Sequence, residues 1–183
     1  METKRLFIAL PVDPIISRDI MKKFSSLDLP WEKIKPVRSE QIHLTLKFLG
    51  EFKIENIPDL IDSLNKVKLG LKDLELSIDQ TQIFSPDRPK ILNLGIKNNQ
   101  NLQKLYDQIE DALFDDGLAH KEGRRFSAHL TLARIKKSLQ LDELTPFNTW
   151  TINKSFYTSY FELQESNLTK NGPEYTSLQT FDL

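Results

Sequence analysis

The tetrapeptide His43-Leu44-Thr45-Leu46 returns as His129-Leu130-Thr131-Leu132, and each copy lies in an apolar run, Ile42 to Leu49 and Ala128 to Ile135. In a strand, residues i and i+2 share one face. His43 and Thr45 then point one way, while Ile42, Leu44, Leu46 and Phe48 point the other. His129 and Thr131 likewise stand over Leu130 and Leu132. Two of the three histidines in the chain sit in these motifs. Two strands of one design, one in each half of the chain, predict an internal pseudo-duplication: two α+β lobes, each carrying one motif on a central strand.

The flanking sequence supplies the rest of each lobe. Arg5 to Val12 reads as a strand, and Asp13-Pro14 opens a helix to Phe24, with Asp as cap and Pro in the first turn. Leu27 to Ser39 reads as a Pro-containing loop. Gly50 closes the first motif strand, Gln41 to Leu49, and a helix is predicted from about Asn56 to Val67. Leu74 to Phe84 and Lys90 to Ile96 are strands around the loop Ser85-Pro86-Asp87-Arg88-Pro89. Leu102, Leu105, Ile109 and Leu113 have helical spacing, which predicts a helix from Asn101 to Phe114, ended by Gly117. Phe126 to Ile135 is the second motif strand. A short helix at Ser138 to Leu144 and strands at Trp150 to Leu163 and Tyr175 to Leu183 follow.

At 183 residues the chain fits one domain, 1–183, of two lobes sharing a core. The absence of cysteine excludes disulfides, thiolate metal sites and cysteine nucleophiles. A net charge of −1 and a pI near 6.3 exclude a protein that coats nucleic acid through bulk charge. The charge is uneven, however: Lys121, Arg124, Arg125, Arg134, Lys136 and Lys137 surround the second motif with one acid, Glu122, among them. The apolar stretch Leu6 to Pro11 is too short for a signal segment or a membrane span. A soluble, cytoplasmic monomer with no membrane partner is the expectation.

The chemistry lies in the paired motifs. An imidazole beside a hydroxyl on a core-anchored strand can handle a proton while the hydroxyl binds a phosphate oxygen. Two such pairs facing each other make a cradle for one phosphorus, with one neutral histidine as base and one protonated histidine as acid. Thr45 and Thr131 would bind the non-bridging oxygens, where charge builds up in the transition state. His120 lacks such a context and reads as a loop residue. Three separated histidines supply no metal cluster, so neither metal nor cofactor is expected.

These motifs resemble those of the 2H phosphoesterase superfamily, and within it the RNA 2′,3′-cyclic phosphodiesterase family, historically called 2′–5′ RNA ligases. The stretch His43 to Glu51 is similar to the family's first motif and Arg125 to Arg134 to its second, with Ala128 where the family often has proline. Arg5 to Leu10 resembles the opening strand and Arg88 to Leu92, with Leu94-Gly95, a mid-chain strand. Glu165 to Leu168, with Gly172-Pro173 and Tyr175, resembles the C-terminal hairpin. The resemblance implies a bilobal fold, with two antiparallel sheets lining a central groove and helices packed outside. It also implies metal-independent hydrolysis of RNA 2′,3′-cyclic phosphate ends to 2′-phosphomonoesters, with His43 as general acid and His129 as general base. Spacing alone leaves those two roles open. The alternatives are 2′–5′ RNA ligation by the reverse reaction and a nucleotide-binding module without turnover. Arg125 and Arg134 are weaker phosphate candidates, with an intramolecular ion pair the equal reading, and Arg134 has the wrong strand parity unless a bulge or a strand end intervenes. Phe48 shares that parity and reads as core. Trp31 and Phe84 could stack bases from loops, with packing the favoured reading for both.

Overall fold

The computed structural model describes residues 2–97, 99–170 and 172–183. Strand β1 (Thr3–Pro11) leads into Asp13, whose carboxylate accepts the backbone N–H of Ile15 at 2.6 Å and of Ile16 at 3.3 Å. With Pro14 in the first turn, this cap starts helix α1 (Pro14–Ser25) where the sequence places it. There follow β2 (Ile34–Pro36), the first motif strand β3 (His43–Lys53), α2 (Ile57–Asn65), β4 (Leu74–Phe84), β5 (Ile91–Ile96) and α3 (Gln100–Asp115). The second motif strand β6 (His129–Ile135), the short α4 (Thr145–Asn148), β7 (Ser155–Thr158), β8 (Tyr160–Thr169) and β9 (Gly172–Asp182) complete the chain.

The strands run β7-β4-β5-β6-β3-β1-β8-β9, every pair antiparallel. Where two sheets are expected, the strands of the described residues form one continuous nine-stranded sheet, and the two lobes are its halves. One is β6 with β5, β4 and β7; the other is β3 with β1, β8 and β9. Each motif strand is reached from its neighbour through a helix, β1 through α1 to β3 and β5 through α3 to β6, which is the predicted pseudo-duplication. The halves join where Leu44 pairs with Leu130, both fully buried.

Several features depart from the sequence reading: β3 runs through Gly50 to Lys53, and the short helix lies at Thr145–Asn148 rather than Ser138 to Leu144. The Pro-containing loop holds β2, which pairs with β6 from Ala133 to Ile135 and so takes the place of β3 beside the second half of that strand. The predicted strand from Trp150 to Leu163 is two strands in different lobes, β7 on β4 and β8 on β1. A continuous apolar pattern cannot show that a chain changes sheets. Trp31 packs edge-on against buried Phe24, with ring centroids 5.3 Å apart, as the packing reading expects. Among the described residues no helix is long and apolar enough to cross a membrane.

Candidate active site

The Leu44–Leu130 pair fixes where the motifs meet. In an antiparallel ladder its register sets His43 across from Thr131 and Thr45 across from His129. All four side chains line one cleft of about 470 Å³ at the junction of the lobes.

Beyond the threonines each strand carries a bulge at the same motif position. On β3, Lys47 pairs with Ile8 and Thr45 with Ala9, which leaves Leu46 as the extra residue. On β6, Ala133 pairs with Leu92 and Thr131 with Asn93, which leaves Leu132 as the extra residue. A bulge reverses the alternation beyond it. Lys47 and Ala133 are therefore buried after buried leucines, and Phe48 and Arg134 join the histidines in the cleft. Phe48 is thus not core; its ring is 65% exposed on the cleft wall. For Arg134 the bulge supplies what strand parity alone denies. Arg125 does not reach the cleft and lines a separate depression with Asp79, Gln82 and Ser127.

The two imidazoles are held alike. His43 Nδ1 lies 2.8 Å from the Gln41 carbonyl oxygen, and His129 Nδ1 lies 2.7 Å from that of Ser127. A carbonyl only accepts, so Nδ1 carries the hydrogen in both rings and Nε2 is the basic nitrogen. His43 is flanked by Phe7 at 4.9 Å and, edge-on, by Tyr175 at 5.2 Å. Phe84 packs on His129 at 4.7 Å, which matches the packing reading rather than a free stacking surface.

Burial, helped by the positive charge His129 can carry and opposed by the bond to Gln41, lowers the His43 pKa to about 4. Burial likewise lowers the His129 pKa, against its bond to Ser127. In the unliganded protein both imidazoles are neutral at pH 7. The cleft itself is cationic. Arg5, Lys35, Arg38 and Arg134 line it, and no carboxylate does so among the described residues, although the chain as a whole carries net charge −1. An anion entering here stabilises an imidazolium and is attracted by four side chains. Arg5, Lys35 and Arg38 gave no signal in the sequence, because they come from separate elements with no shared spacing. The β8–β9 hairpin forms a further wall, where Gln41 Nε2 donates to the Pro173 carbonyl.

The comparisons with known proteins agree with this geometry. Residues 10–92 match the model of the LigT-like phosphoesterases. An RNA 2′,3′-cyclic phosphodiesterase of Archaeoglobus fulgidus is 28% identical, over 97% of this chain and 99% of that protein. One of Methanocaldococcus jannaschii is also 28% identical, over 93% of this chain and 96% of that protein. Among solved structures, E. coli LigT complexed with 3′-AMP superposes with a TM-score of 0.80 at 23% identity, covering 100% of this chain and 99% of that one. A crystal structure of a phosphoesterase gives 0.81 at 24% identity, covering 100% and 99%. These two show the shared fold. The chain is thus similar to the LigT-like phosphoesterases over residues 10–92 and to RNA 2′,3′-cyclic phosphodiesterases over nearly its full length.

Proposed function

We propose that this protein hydrolyses the 2′,3′-cyclic phosphate at an RNA end to a 2′-phosphomonoester, with His43 and His129 as its acid and base. The observation that carries this is the cross-strand placement of the two His-x-Thr pairs in one cationic cleft, each imidazole with Nε2 available. The relatives that match the full chain are named for this activity. In the reaction, water loses a proton to neutral His129 Nε2 as its oxygen attacks phosphorus. The bond from phosphorus to the ribose 3′ oxygen breaks, and that oxygen takes a proton from Nε2 of the His43 imidazolium. Four cations and the Thr45 hydroxyl balance the charge on the phosphoryl oxygens. The role of each histidine follows the family resemblance, since the paired geometry is nearly symmetric.

The test is a short RNA ending in a 2′,3′-cyclic phosphate, incubated with chelator present. The expected product has the same length and a 2′-monophosphate. Longer strands would indicate ligation, and tight nucleotide binding with no product would indicate a binding module.

The acidities give a second prediction. Productive free enzyme needs one charged and one neutral imidazole, and both pKa values lie below the usual 6.5. A plot of kcat/KM against pH is therefore expected to be bell-shaped, with an alkaline limb that begins below pH 6.5 and falls about tenfold per unit. The bound phosphodiester is anionic and favours imidazolium, so the alkaline limb of kcat is expected at higher pH than that of kcat/KM. A kcat/KM profile flat from pH 5 to 8 contradicts the scheme.

A further inference from the structure

The strands beside the two motifs break their symmetry. Opposite Thr45 on β1 stands Ala9, which has no polar side-chain atom. Opposite Thr131 on β5 stands Asn93, fully buried, and Thr131 Oγ1 lies 3.1 Å from Asn93 Oδ1. An amide oxygen only accepts, so the single proton of the Thr131 hydroxyl is committed to Asn93. On the next strand Gln82 pairs with Asn93, and Asn93 Nδ2 and Gln82 Oε1 are both buried without a hydrogen-bond partner. Gly95, the residue opposite His129, makes room for this row, because a Cβ there would lie 2.4 Å from Gln82 Nε2.

From this we infer that Asn93 is a positioning residue that makes Thr131 a hydrogen-bond acceptor in the cleft, and that the group Thr131 accepts from is the attacking water. The inference rests on the phosphodiesterase reading above. A phosphodiester anion has no hydrogen to offer Thr131, whereas a water beside His129 has two. One goes to His129 Nε2 and the other is held by Thr131 Oγ1, which orients the oxygen lone pair toward phosphorus. The Thr45 proton has no taker on β1, so Thr45 donates to a phosphoryl oxygen. The near-symmetric cradle thereby has a water side, at His129 and Thr131, and a phosphate side, at His43 and Thr45. Thr131 stands across from His43 as well as two residues from His129, so the choice of His129 as the base for this water still follows the family resemblance.

The test compares Thr45→Val, Thr131→Val and Asn93→Leu in the full chain. Two quantities are read: kcat on a 2′,3′-cyclic-phosphate dinucleotide and the Kd of adenosine 2′-monophosphate by calorimetry. Thr45→Val is expected to weaken the Kd about tenfold or more, since it loses a charge-assisted bond. Thr131→Val and Asn93→Leu are expected to lower kcat about tenfold with Kd within about twofold of wild type. The Asn93→Leu and Thr131→Val effects on kcat should not add, because both remove one arrangement. Leu removes the unpartnered buried Asn93 Nδ2 along with the Oδ1 acceptor of Thr131, so the melting temperature of Asn93→Leu should stay near that of wild type, which a chiefly structural role for Asn93 would not allow. Equal weakening of nucleotide binding by the two threonine variants overturns the inference, as does an Asn93→Leu enzyme with wild-type kcat. The threonine comparison stands if Asn93→Leu does not fold. A wild-type protein without turnover sinks the phosphodiesterase reading and this inference together; an active wild type with equivalent threonines sinks this inference alone.

Discussion

Replacing either His43 or His129 by alanine is expected to lower kcat by about 10²–10⁴-fold, the usual contribution of a positioned acid or base. The fold should survive, at a cost of about 0.5–3 kcal/mol, because the rings line a cleft rather than fill the core. Each ring is held by a backbone carbonyl two residues upstream in its own chain segment, so its loss strands no distant polar group. Stability against pH provides a check independent of turnover. In the folded protein His43 has a pKa of about 4, below the 6.5 of an unfolded chain. Between those values the unfolded state binds more protons, so the wild type loses stability as pH falls from 6.5 toward 4. That loss should be smaller in His43→Ala. Urea titrations at pH 7 and pH 5 measure it. An alanine variant with near wild-type kcat would remove that histidine from the mechanism, and an unchanged pH dependence of stability would show that its ring is not held neutral.

The motifs carried most of the fold because alternation and core burial have one period there. The two strands, the shared cleft and the lobe symmetry follow from Leu44 and Leu130 lying behind the histidines, which any pairing of the two strands brings together. The misplaced residues share one cause. Phe48 and Arg134 follow an extra residue in the strand, and a bulge changes which face a side chain takes without changing the run of apolar residues that marks the strand. Leu46-Lys47 carried a trace of it, since a lysine stands where the alternation beyond the bulge needs a buried side chain. The cations Arg5, Lys35 and Arg38 and the amide of Asn93 had no local signature, because their roles depend on which strands become neighbours. Arg125 shows the converse: adjacency in sequence to the second motif did not bring it to the cleft, since the chain enters β6 only at His129.

The same bulge makes Lys47 the most consequential structural residue beside the site. Turned to the core face, its ammonium is almost fully buried and donates to Glu110 Oε1 on α3 at 2.5 Å and to the His120 carbonyl at 2.9 Å. Glu110 Oε2 in turn accepts the Glu122 backbone N–H at 2.7 Å. This network ties the first motif strand to the helix and loop that precede the second motif. Lys47→Met leaves Glu110 buried without its cation, which is expected to cost about 3–5 kcal/mol. That is a large share of the roughly 5–15 kcal/mol that holds a domain folded, and it should appear as a Tm lower by about 10 °C. The double variant Lys47→Met/Glu110→Leu removes the stranded charge as well and should recover much of the loss, since a well-packed apolar pair often matches a buried ion pair. The recovery will be incomplete, because Glu122 N–H loses its acceptor. Urea midpoints of the two single variants and the double variant decide the matter. Single and double variants of equal stability would mean that the cost lies in lost packing rather than in an unpaired charge. The double variant also separates fold from chemistry: with stability largely restored and the histidine strands intact, its kcat reports how far this buried tether, rather than the motifs alone, sets the alignment of the two imidazoles.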